Sequence, residues 1–147
     1  MQRFLGFILV SIQALGIPLV AGLFICAVSG EPRLMLEWPF LIDVDYPLLE
    51  TLLLSLPSIL LYAALIRVQK SRRLRAACFV LLAVLAAYFS CEVFAQAFGN
   101  TWTHSAIFFA LFIGHLHLLA IALLPGLLLW WLIDVLALSL RSRLTQA

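Results

Sequence analysis

The sequence predicts an all-α polytopic membrane protein: a compact four-helix transmembrane bundle whose long fourth helix must tilt, project into water or break at Pro125. Three observations lead there. Of 147 residues, 65% are hydrophobic and 11% charged, against about 25% charged in an average soluble domain, and mean hydropathy is +1.16. The apolar residues gather into four runs, each long enough for the roughly 20 residues a helix needs to cross a bilayer. The basic residues collect in alternate segments between those runs, as the positive-inside rule requires. This composition excludes a nucleic-acid reader, a soluble enzyme, a disordered linker and a secreted disulfide scaffold. The chain reads as one domain, 1–147.

Helix one is expected over 4–28, interrupted by Gly16 and Pro18. Its apolar run is longer than the roughly 7–15 residues of a cleaved signal core. Phe24 and Ile25 are also too bulky for a lipoprotein signal ending at Cys26, so the reading is a retained first transmembrane helix. Helix two is expected over 46–66 with Pro57 near its middle. Asp43, Asp45 and Glu50 stand at its start, where the helix dipole favours acids. Helix three is expected over 76–98. The last apolar stretch runs from His104 to Leu140, with helix four at about 105–138; as one helix the stretch measures about 55 Å, while the hydrocarbon core is only about 30 Å thick. It must tilt, project into water, or break at Pro125-Gly126.

Charge sets the orientation. Arg3, the cluster Arg67, Lys70, Arg72, Arg73 and Arg75, and the pair Arg141 and Arg143 fall on one side of four crossings. The first loop holds Glu31, Glu37, Asp43 and Asp45 against a lone Arg33. Both termini are therefore expected in the cytoplasm of a bacterial inner membrane. The Arg67–Arg75 cluster is expected to meet anionic lipid headgroups, at about 1 kcal/mol per residue. The loop residues Glu31, Arg33, Glu37, Trp38, Asp43 and Asp45 are expected to form a lid or docking segment. Trp38 and Trp102 on one side, and Trp130 and Trp131 on the other, are expected to form interfacial belts.

Helix three carries small residues four apart, at Ala83, Ala87, Cys91 and Ala95, with Ala86 and Ser90 alongside. Such a stripe lets a neighbouring backbone approach closely, and helix three is expected at the centre of the bundle. Cys26, Cys78 and Cys91 form no CxxC and read as packing residues.

The informative residues are those that do not belong in lipid. Glu92 lies inside helix three, with Gln96 one turn further on the same face. In a regular α-helix His104 and His115 share a face, and His115 is expected to meet Glu92 in the outer leaflet. His117, two positions on, is expected to point away from His115, so neither a metal nor a cofactor is expected. Asp134 is expected near the cytoplasmic interface, or paired with Arg3 or Arg67. No GxSxG, HExxH, Walker or dinucleotide motif is present. The expected function is that of a small integral membrane protein without intrinsic catalytic activity: an accessory subunit, or an inhibitory or immunity-type binder, of another membrane protein. Its partners are membrane lipids and another membrane protein or a second copy, with no nucleic acid. The alternative is a small transporter or proton-conducting module built on Glu92, Gln96 and His115; a third reading is a membrane enzyme acting on a lipid or quinone.

Overall fold

A computed structural model of the chain describes residues 2–30, 47–69, 71–97 and 102–144. It is an all-α, four-helix bundle. Helices α1 (Gln2–Ala14) and α2 (Gly16–Ser29) make up the first span, α3 (Pro47–Val68) the second and α4 (Arg72–Ala97) the third. The fourth is composite: a short α5 (His104–Ala106), a π-helical stretch Ile107–Phe112, one 3₁₀ turn Ile113–His115, and α6 (Leu116–Leu144). Among the described residues, four stretches are long and apolar enough to cross a membrane: Ile8–Ser29, Thr51–Val68, Arg72–Ala95 and His104–Leu140.

The break in the first span has a local cause. Pro18 has no N–H to offer the carbonyl four residues back, and its ring crowds that carbonyl. That residue is Ala14, where α1 ends. The N–H of Leu15 is then shared between the carbonyls of Ser11 and Ile12, 3.2 Å from each. At the other end Gly30, with φ of 69°, closes α2 in the left-handed conformation that glycine adopts without strain.

Of the three outcomes open to the long fourth span, a break at Pro125 is not the one found. Pro125 lies inside the continuous helix α6, as Pro57 lies inside α3, and the irregular part of the fourth span falls earlier, at 107–115. The neighbouring Gly126 serves another purpose. A β-carbon there would stand 2.4 Å from Val20 Cγ2 and 3.3 Å from the Gly16 carbonyl, while one on Gly16 would stand 2.9 Å from Phe79 Cζ. The two glycines mark the close crossing of α2 and α6. Neighbouring helices re-satisfy what a membrane proline leaves open, and this crossing holds α6 against the first span.

The small-residue stripe of α4 is fully inside: Ala83, Ala86, Ala87, Ser90 and Cys91 are all at 0% exposure. It faces α2, whose Ile17, Val20, Ala21, Phe24 and Ile25 are equally buried. The centre of the bundle is nevertheless the first span rather than the third, since 61% of its apolar window is buried against 39% for α4. The outward leucines of α3 (Leu52, Leu53, Leu56, Leu60, Leu61) and of α6 (Leu124, Leu128) are exposed, as lipid-facing side chains are. The expected lid residues Glu31, Arg33, Glu37, Trp38, Asp43 and Asp45 lie outside the described residues, as do Lys70 and the side chains of Arg3, Glu50, Gln96, Arg141 and Arg143.

Candidate functional site

Two polar clusters occupy opposite ends of the bundle. At the end where the bases gather, three side chains from three helices close a ring of hydrogen bonds. Trp130 Nε1 of α6 donates to the Tyr62 hydroxyl of α3 at 2.7 Å, and that hydroxyl donates to Gln13 Oε1 of α1 at 3.3 Å. Gln13 Nε2 completes the ring by donating to the Trp130 carbonyl at 3.2 Å. All three residues are buried. In hydrocarbon each of these groups is costly when unmet, and each is met.

One turn along α6 from Trp130 lies Asp134, which is buried at 2% exposure. Arg72 Nε stands 2.8 Å from its Oδ2 and Arg75 Nη2 3.2 Å from its Oδ1. The Arg72 guanidinium also stands 6.0 Å from the centroid of the Trp130 ring, within cation–π range. The match is charged but not fully satisfied: Arg75 Nε and Asp134 Oδ2 are buried without a well-aligned hydrogen bond among the described residues. So among the described residues the partners of Asp134 are Arg72 and Arg75 rather than Arg67, and these two arginines of the basic cluster expected at lipid headgroups also reach a buried carboxylate; the Arg3 side chain lies outside the described residues. Arg67 and Arg73 remain exposed. Trp130 likewise leaves the expected belt for the interior, whereas Trp131 and Trp102 are exposed.

At the opposite end, Glu92 of α4 accepts a hydrogen bond from Tyr88, one turn earlier, at 2.5 Å. Its other oxygen lies 3.0 Å from His104 Nδ1. His104 opens the fourth span, just after Thr103, whose side-chain oxygen caps the helix by accepting from the Ala106 N–H at 3.3 Å. Glu92 is 14% exposed but His104 is 87% exposed. Tyr88 is held edge-on to Phe108 and Phe112, with ring centroids 5.9 Å and 5.4 Å away.

The expected Glu92–His115 bond is therefore replaced by Glu92–His104. The eleven-residue spacing that puts His104 and His115 on one face assumes a regular α-helix. Residues 107–115 instead run through π and 3₁₀ turns, which change the number of residues per turn. His115 turns to its own backbone: its Nδ1 lies 2.8 Å from the Leu111 carbonyl. Tied back in this way, its ring lies alongside that of His117, centroids 6.2 Å apart and planes 30° apart, rather than diverging from it.

Between the clusters the packing is apolar on α2 and α4, while α3 presents buried hydroxyls at Thr51, Ser55 and Ser58. The Ser55 hydroxyl has no hydrogen-bond partner among the described residues, and Ser90 bonds back to the Ala86 carbonyl at 2.9 Å. An open apolar groove of about 220 Å³, lined by Phe94, Ala95, Trp102 and Leu111, lies at the Glu92 end. Among the described residues no three His, Cys, Asp or Glu side chains converge as metal ligands.

Sequence reasoning missed Gln13 and Tyr62. Gln13 carried a usable signal, an amide alone in an apolar run, the same kind of signal that singled out Glu92. Tyr62 carried none, because a tyrosine in a membrane helix is unremarkable until its hydroxyl is seen between two partners. Comparison with protein families, characterised proteins and solved structures finds no match to this chain, so its function is argued from these residues.

Proposed function

We propose that the chain is a small integral membrane protein with no turnover of its own, acting as an accessory subunit or inhibitory, immunity-type binder of another membrane protein. We place it in a bacterial cytoplasmic membrane with both termini on the cytoplasmic side, because Arg67, Arg72, Arg73 and Arg75 stand at one end of the bundle. One observation carries the functional reading. The buried polar side chains among the described residues are Gln13, Thr51, Ser55, Ser58, Ser90 and Asp134. Only Asp134 of these is a carboxylate, and two arginines hold it. A proton path needs titratable groups joined along the membrane interior; among the described residues Glu92 bonds Tyr88 and His104, while His115 turns to the Leu111 carbonyl and does not join them. The apolar groove beside Trp102 offers a lipid or quinone no acid, base or nucleophile among the residues that line it.

The transporter alternative keeps one supporting feature, the hydroxyl stripe Thr51, Ser55 and Ser58 on the buried side of α3. Small polar residues are also what helix interfaces in membranes use for close packing. Flux measurements separate the two readings. The purified chain in liposomes enclosing a pH-sensitive dye is expected to move protons no faster than protein-free liposomes. Chain extracted from its native membrane is expected to carry a second protein in fixed stoichiometry. Proton flux by the purified chain that is abolished in Glu92→Gln or Ser55→Ala overturns the accessory reading.

A further inference from the structure

We propose that two copies of this chain pair side by side through the His115–His117 patch of the fourth span, a contact that goes beyond the accessory role and does not depend on it. The hydrogen bond that His115 makes selects its tautomer. A carbonyl oxygen only accepts, so the 2.8 Å contact between His115 Nδ1 and the Leu111 carbonyl places the proton on Nδ1; an uncharged ring then keeps its lone pair on Nε2. The neighbouring His117 ring, 6.2 Å away, is exposed and has no hydrogen-bond partner among the described residues. Uncharged, it carries one N–H donor. The patch thus sets an acceptor beside a donor.

Both lie within the apolar span His104–Leu140, where the surrounding exposed residues on the His117 face are Ala120, Ile121 and Leu124. A polar group left facing acyl chains is costly, and facing polar groups between helices relieve that cost. A second copy supplies the complement. A twofold axis along the membrane normal sets the His117 donor of each copy against the His115 acceptor of the other, so two hydrogen bonds form in one self-complementary contact. The chain's described carboxylates are already engaged, Glu92 by Tyr88 and His104 and Asp134 by two arginines, so neither competes for these imidazoles. Close approach is open beside it, because Gly114 is exposed and a β-carbon there would meet only the Phe109 carbonyl, at 3.6 Å.

The test is energy transfer between donor- and acceptor-labelled full-length chains in phosphatidylethanolamine–phosphatidylglycerol liposomes, at falling protein-to-lipid ratio and with and without a metal chelator. The wild-type chain is expected to show a reversible dimer. His117→Leu is expected to weaken it about tenfold, as losing two interhelical hydrogen bonds does in membranes, and His117→Asn, which keeps a donor, to restore most of the association. Circular dichroism establishes that each variant folds, and Leu60→Asn on α3 controls for a polar change on a distant exposed face. Four results overturn the proposal: a monomer at every density, a dimer indifferent to His117→Leu, a dimer weakened equally by Leu60→Asn, or a dimer lost on chelation, which would mean a bridging metal.

Discussion

The two ends of the bundle solve the same problem, a carboxylate in a membrane protein, in opposite ways. At the basic end Asp134 is withdrawn from solvent, with its side chain 3% exposed, and the neighbouring ring of Gln13, Tyr62 and Trp130 ties α1, α3 and α6 together. At the other end Glu92 takes one partner from its own helix and one, His104, that stands almost wholly exposed. Distance along the helices sharpens the contrast. Arg72 and Glu92 are 20 residues apart on α4, about 30 Å, while Asp134 and His104 are 30 residues apart on the fourth span, about 45 Å. The lesson is that a carboxylate withdrawn from solvent ties α4 to α6, because water does not reach it to replace its arginines, whereas a pair at the mouth orients a helix start and is replaceable.

Substitutions at the two ends put that contrast at risk, in falling order of effect. Asp134→Ala opens a buried gap and removes two charge-assisted contacts, while Arg72 and Arg75, 48% and 23% exposed, can turn to water; it is expected to cost about 2–4 kcal/mol. Reversible unfolding in mixed micelles measures it, and a loss below 1 kcal/mol would put Asp134 in water rather than in the core. Within the same pair, Arg75→Ala is expected to cost more than Arg72→Ala, since the Arg75 side chain is 23% exposed and that of Arg72 is 48%.

Tyr62→Phe comes next. It keeps the ring packed edge-on to Phe79 but leaves Trp130 Nε1 and Gln13 Oε1 without their partner, at about 1–3 kcal/mol. The same unfolding assay and a shift in Trp130 fluorescence report it; an unchanged emission spectrum would break the ring as described. The smallest effect belongs to the other end. His104→Ala is expected to change stability by less than about 1 kcal/mol, as for an exposed ion pair, because water and Tyr88 continue to serve Glu92. A loss equal to that of Asp134→Ala would erase the distinction between the two ends.

Composition and period alone determined the class of this protein, its four crossings and the inward stripe of α4. The reason is that lipid imposes an average, one run of about 20 apolar residues per crossing, and an average is visible in one dimension. Helix ends followed local chemistry too: Pro18 explains the break after Ala14, and Gly30 the end of α2. What the sequence left undecided was pairing. Glu92, His104, Asp134 and the arginines were all identifiable as groups needing partners, yet which met which depended on features with no linear signature. The π and 3₁₀ turns at 107–115 rotate His115 away from Glu92. Pro125, like Pro57, sits in a continuous helix, and the Gly16–Gly126 crossing brings that helix against the first span. And the depth at which α4 and α6 run past one another brings Arg72 and Arg75, rather than Arg67, to Asp134. A hydrogen bond or ion pair forms over about 3 Å, while a shift of two residues along a helix moves a side chain by that same distance, so partners are settled only where the helices are packed.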